Sequence, residues 1–172
     1  MVSCTEFIPA YSELFKFLEQ TGGKAAVVRY WESLSDAYLG ELRKRAAAKG
    51  LAGCLEWWDE ALREETTDYQ LALDEAQGVF QIIMRRCPSK GLLLESPHLQ
   101  PYPAYCEHCD TLYRRALEPL GFEYEVDFSR CDSAACTRTV RLKGKRAAGI
   151  AVQSRSTVFA YPNADPYDRG NL

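Results

Sequence analysis

The chain has 172 residues, 47% hydrophobic and 12% aromatic, enough apolar surface to build the core of one domain and to exclude a wholly disordered polymer. Its formal net charge of -3 leaves no basic footprint, which argues against nucleic acid or an anionic membrane surface as a partner. No apolar run approaches the roughly 20 residues that span a bilayer, and no early segment has the pattern of a signal peptide, so the expectation is a soluble, cytoplasmic protein.

The first third reads as helical. Phe7 to Gln20 carries Phe7, Ile8, Tyr11, Leu14, Phe15 and Leu18 at helical spacing, and Thr21-Gly22-Gly23 closes it. A longer helix is expected from Lys24 to Lys49, with Val27, Val28, Tyr30, Trp31, Leu34, Tyr38 and Leu42 on one broad face and Gly50 as its stop. A short helix from about Leu55 to Glu64 contains Trp57 and Trp58. Aromatics at these spacings read as core, with the walls of a ligand pocket as the alternative.

The period then changes. Tyr69, Leu71 and Leu73 alternate with polar or small residues, Asp74 to Gly78 is rich in turn formers, and Phe80, Ile82 and Met84 alternate again, which is the signature of a β-hairpin. Pro88, Ser89, Gly91, Pro97, Pro101 and Pro103 mark an irregular, site-forming connection. A helix follows from about Pro103 to Glu118, with Gly121 just past its end. Phe122 to Arg130 and Cys136 to Lys143 read as two strands joined by the loop Asp132-Ser133-Ala134-Ala135. Beyond Gly144, Thr157 to Tyr161 could add a short strand. The fold class expected is α+β, N-terminal helices plus an antiparallel sheet with a helix packed on it. Residues 1–150 are expected to form a single domain (a helical part over 1–66, the sheet and cysteines over 67–150), with 151–172 expected as an extended tail.

The cysteines carry the chemistry. Seven thiols in a reducing compartment read as metal ligands or reactive groups rather than as a disulfide framework. If the strand from Val79 ends at the top of the sheet, Cys87 lies at the top, and the helix after the crossover starts there with Cys106 and Cys109. The strand from Phe122 then climbs back to Cys131, and Cys136 begins the descending strand at the same level. The spacing Cys-x2-Cys-x21-Cys-x4-Cys falls within the range of a tetrathiolate zinc site made by Cys106, Cys109, Cys131 and Cys136. Three uses stay open: structural zinc, a metal or thiolate site in catalysis or ligand binding, and ordinary buried cysteines. Cys87 and His108 exceed what four-coordinate zinc requires, leaving a further ligand, a nucleophile or a base. His98 sits in the Pro-rich stretch and is a weaker candidate. Arg85, Arg86, Arg114 and Arg115 could supply a cation for a carboxylate, with solvent exposure as the plainer use; of Arg138 and Arg141, on opposite strand faces, at most one points inward.

Arg86-Cys87-Pro88, the helix start Tyr105-Cys106-x-x-x-Asp110, and the stretch from Phe122 to Arg141 with its hairpin at Cys136 resemble the L-2-amino-thiazoline-4-carboxylic acid hydrolase-like proteins. The helix followed by a cysteine-containing hairpin is also similar to the small-molecule-binding domain of 4-vinyl reductases. The resemblance covers about Asp68 to Lys143. It implies an α+β domain and, for the hydrolase branch, opening of a cyclic amidine ring by water, with Cys87, Cys106, Asp110 and Cys136 at the matching positions; Cys109 and His108 have no counterpart in that pattern.

The function expected is a hydrolase-like enzyme acting on a non-peptide C–N bond of a small cyclic amidine or related carboxylate. Either zinc or another transition metal activates water, or a low-pKa cysteine attacks the amidine carbon. Catalytic candidates are Cys87, Cys106, His108 and Asp110, with Cys87 or Cys106 as the nucleophile and Asp110 or His108 as the proton-transfer group. The alternative is a non-enzymatic small-molecule-binding or sensor domain stapled by structural zinc. A small-molecule substrate is the expected partner, and a homodimer is compatible with either use.

Overall fold

The computed structural model describes residues 7–65, 67–96 and 98–144. The strand expected at Thr157 to Tyr161 and the tail at 151–172 lie outside the described residues. The fold class is α+β, as expected: five helices and a four-stranded antiparallel sheet. Among the described residues, no helix is long and apolar enough to cross a membrane.

Three helices lead the chain: α1 (Phe7–Tyr38), α2 (Gly40–Lys49) and α3 (Leu51–Arg63). The stop expected at Gly22-Gly23 is a kink inside α1, where Gly23 takes φ 69 and ψ 178, a conformation open to a residue without Cβ. The single helix expected over 24–49 is broken at Leu39, and Gly40 begins α2. Periodicity did not show this break, because the apolar spacing runs on through it. α2 and α3 approach closely at Gly53: a Cβ there would lie 2.1 Å from the Arg45 carbonyl oxygen.

The hairpin β1 (Asp68–Asp74) and β2 (Val79–Arg86) forms as the alternation predicts, with Tyr69, Leu71, Phe80, Ile82 and Met84 buried on one face. The Pro-rich connection is more ordered than expected: Pro88 opens a short helix, α4 (Pro88–Glu95), because its fixed φ and missing N–H suit a first helical turn. α5 (Glu107–Leu117) starts about four residues later than expected, with Pro103 to Cys106 in the turn before it. The chain then enters β3 (Phe122–Asp127), crosses a 3-10 turn at Cys131–Ser133, and returns along β4 (Cys136–Leu142). β4 inserts between β2 and β3, giving the order β1-β2-β4-β3, with Met84 opposite Cys136 and Asp127 opposite Thr137.

α3 and α5 pack on the sheet, α2 packs on α3, and α1 packs on α5. Two cores result. The sheet core joins Trp58, Phe80, Leu117, Tyr124 and Val140 with the apolar faces of α2 and α3. The helical core is nearly all aromatic, with Phe15, Trp31, Tyr102 and Tyr105 around Val27 and Leu93. Burying each such ring contributes about 1.5–3 kcal/mol. Polar ties hold α1 on α5: Ser35 donates to the Leu112 carbonyl (2.7 Å), Arg115 forks onto Asp36 (2.7 and 2.9 Å), and Lys24 reaches Glu107 (2.7 Å).

Candidate active site

The topology puts five thiols at one end of the sheet. Cys87 follows β2 and caps α4. Its N–H donates to the Ala134 carbonyl (2.6 Å), which fastens the β3–β4 loop across the end of β2. Ala134 holds a left-handed conformation (φ 57), uncommon for a residue with a Cβ. Cys106 is the N-cap of α5 and Cys109 lies in its first turn, while Cys131 and Cys136 flank the β3–β4 loop. All five border one tight cavity of about 20 Å³, room for a single water. The remaining described cysteine, Cys54, lies in the sheet core, where burial pushes its thiol up to about 12.

Cys109 is unlike the others. Its Sγ lies 3.4 Å from Nε2 of His108 and 3.5 Å from Nη2 of Arg138, which donates to it. Burial opposes the thiolate, but the His108 charge, the Arg138 charge and the His108 hydrogen bond outweigh it, and the Cys109 thiol is held well below the ordinary range. The pair is reciprocal. Burial disfavours a charged His108, yet the Cys109 charge and hydrogen bond, together with the Tyr105 carbonyl, raise its pKa. His108 Nδ1 is hydrogen-bonded to that carbonyl, so Nδ1–H donates and Nε2 faces the sulfur. The Cys109 sulfur, the His108 ring and the Tyr105 carbonyl are thus joined by consecutive hydrogen bonds, an arrangement that favours the thiolate.

Arg138 comes from β4. Alternation with Val140 puts it on the buried face, where it is only 6% exposed. Its guanidinium lies 5.4 Å from the Tyr113 ring centroid. Among the described residues no carboxylate forms an ion pair with it, and its buried Nε has no hydrogen-bond partner. Of the two strand arginines, this is the inward one. Arg85, Arg86, Arg114 and Arg115 instead pair with Asp68, Glu95, Asp110 and Asp36, respectively.

A second cavity, about 190 Å³, shares several of the same groups. Trp57, Trp58, Met84 and Tyr113 wall it, and Cys87, His108, Cys109 and Arg138 border both cavities. Trp58 Nε1 is buried and has no hydrogen-bond partner among the described residues. Trp57 and Trp58 border this cavity, Trp58 also being part of the sheet core, whereas Phe15 and Trp31 are core.

The remaining candidates separate. Cys106 is pushed up to about 12, chiefly by burial and then by the Cys109 charge; Cys87 and Cys136 are also raised, burial being the largest cause. Asp110 borders neither cysteine cavity. It forks onto Arg114 (2.7 and 3.2 Å) at a separate polar cleft with Glu125, Thr137 and Thr139. His98 is exposed in a turn away from both cavities. Among the described residues no group of three or more His, Cys, Asp or Glu is arranged to hold a metal ion. Cys106, Cys109, Cys131 and Cys136 share a cavity without forming a ligand shell, and the fixed charge of Arg138 beside Cys109 opposes a dication there.

The sequence singled out His108 and Cys109 but left Arg138 outside the site. The signal for it was an arginine on the apolar alternation of a strand that begins with Cys136. No protein-family model, no curated protein and no solved structure matches the chain.

Proposed function

We propose that this protein is a thiol-dependent, hydrolase-like enzyme acting on a non-peptide C–N bond of a small cyclic amidine or related carboxylate, with Cys109 as its nucleophile. The observation that carries this is the contact of Cys109 Sγ with both His108 Nε2 and Arg138 Nη2, bordering a chamber of about 190 Å³. Arg138, which no carboxylate pairs with among the described residues, supplies the cation for the substrate's carboxylate, and Trp57, Trp58 and Tyr113 provide flat walls for a ring. The thiolate adds to the amidine carbon. The C–N bond breaks as His108 gives its proton to the departing nitrogen, leaving the carbon bound to sulfur. Water then attacks that carbon, neutral His108 takes its proton, and the thiolate leaves.

A non-enzymatic binding domain is the second reading, favoured by the unpartnered Arg138 Nε and Trp58 Nε1 at the aromatic chamber. Zinc on Cys106, Cys109, Cys131 and Cys136 is the rival use of the thiols. The test is ring opening of cyclic amidine carboxylates by purified protein of known metal content. Turnover without metal that is abolished in Cys109→Ser and shows a raised KM in Arg138→Met supports the enzyme. Binding without turnover supports the domain. Stoichiometric zinc with equal turnover in Cys109→Ser overturns the proposal.

A further inference from the structure

Hydrolysis of a C–N bond needs one thiol, yet four others share the cavity beside Cys109. Two of the five are tied through the backbone as well. Cys106 and Cys109 are three residues apart in the opening turn of α5, and the Cys109 N–H donates to the Cys106 carbonyl (3.3 Å). In such a turn the Cα atoms lie about 5 Å apart, within the roughly 4.4–6.8 Å that a disulfide spans. The Cβ atoms start somewhat wide, about 5–6 Å against 3.5–4.5 Å in a disulfide. Cys106 is the N-cap, preceded by turn rather than helix, so closing this gap breaks no helical register N-terminal to it. Access is asymmetric. Cys109 borders both cavities, whereas Cys106 borders only the tight one.

We infer that the Cys106–Cys109 pair is an oxidation site for small hydroperoxides, in which Cys109 takes the oxygen and Cys106 closes the disulfide. The Cys109 thiolate attacks the distal peroxide oxygen, the O–O bond breaks, and the departing alkoxide or hydroxide takes a proton, leaving a sulfenic acid. The Cys106 sulfur then attacks the Cys109 sulfur, forming the S–S bond and releasing water. An external dithiol returns both cysteines to thiols and is itself oxidised to its disulfide. This site goes beyond the hydrolytic reading but draws on the same thiolate.

Reduced full-length protein is treated with one equivalent of hydrogen peroxide, denatured, alkylated, and mapped by peptide mass spectrometry. The expected result is protection of Cys106 and Cys109 together, reversed by dithiothreitol, with Cys87, Cys131 and Cys136 alkylated. In Cys106→Ser, dimedone is expected to trap a sulfenic acid at Cys109. Full alkylation of Cys106 and Cys109 in oxidised wild type, or a bridge from Cys109 to Cys87, Cys131 or Cys136, overturns the assignment, and neither outcome depends on the variant folding. Untreated protein that is alkylated first at Cys109 yet forms no bridge loses this inference alone. Protein in which Cys109 resists alkylation loses the nucleophile on which the hydrolytic reading also depends.

Discussion

The two cores are built differently, and the candidate site lies on the seam between them. The helical core is a cage of rings on α1 and the turn before α5; the sheet core is set by strand register. His108 belongs to the first, with its ring centroid 4.9 Å from Tyr105, 6.0 Å from Phe15 and 6.5 Å from Trp31. Arg138 belongs to the second, held by β4 between β2 and β3 and lying against Tyr113. Cys109 follows His108 directly on α5, so adjacent residues take their partners from different cores. Thiol activation is then a readout of how the two cores sit against each other, since each supplies one positive neighbour.

The severest break of this arrangement is Trp31→Ala. It empties the centre of the aromatic cage, and the expected loss is about 3–5 kcal/mol, measured by urea unfolding. In the fraction that stays folded, His108 loses a supporting ring, so the pH at which Cys109 alkylation falls off should move upward. An unchanged alkylation profile would show that the helical core does not set the base.

Gly53→Ala strikes the other core, on the helix that carries Trp57 and Trp58. Its Cβ would meet the Arg45 backbone, so α2 and α3 must separate, at an expected cost of about 1–3 kcal/mol by the same measurement. Cys109 reactivity should hardly change, because neither helix supplies a charge to the thiol.

Arg138→Met keeps the bulk and removes the charge. A lowered thiol pKa keeps the reactive form at pH values where an ordinary cysteine is protonated; without the guanidinium that pKa rises. Iodoacetamide alkylation of Cys109 should then slow near neutral pH, by up to about tenfold for each unit that the pKa lies above the working pH. The raised thiols of Cys106 and Cys87 should stay slow in both proteins across this range.

The smallest expected effect comes from Gly40→Ala, at the joint where α1 gives way to α2. A Cβ there meets nothing within 4 Å, so reduced unfolded-state freedom should stabilise the chain by about 0.4–1 kcal/mol, seen as a higher urea midpoint. Unchanged Cys109 reactivity in this variant would show that the cores already keep a fixed relation through α1 and α5.

Local pattern was enough for much of the fold. Alternation at Tyr69 to Met84 and at Phe122 to Tyr124 gave the strands and their buried faces, since side chains on a strand have a period of two. Chain direction alone argued that Cys87, Cys106, Cys109, Cys131 and Cys136 meet, and all five border one cavity. The break at Leu39 and the helix at Pro88–Glu95 were not legible, because an apolar period that continues through a bend hides it and a Pro-rich stretch looks irregular until it packs.

The sequence by itself determined the strands and their buried faces, because side chains on a strand have a period of two. Only the tertiary structure sets the thiols apart from one another. Cys106 and Cys109 are three residues apart on one helix, yet one is pushed to about 12 and the other held low. The difference comes from His108, fixed by rings of the helical core, and from Arg138, delivered by a strand 29 residues further along the chain. Charge at a few ångströms sets a thiol pKa, and no spacing in the sequence measures that distance.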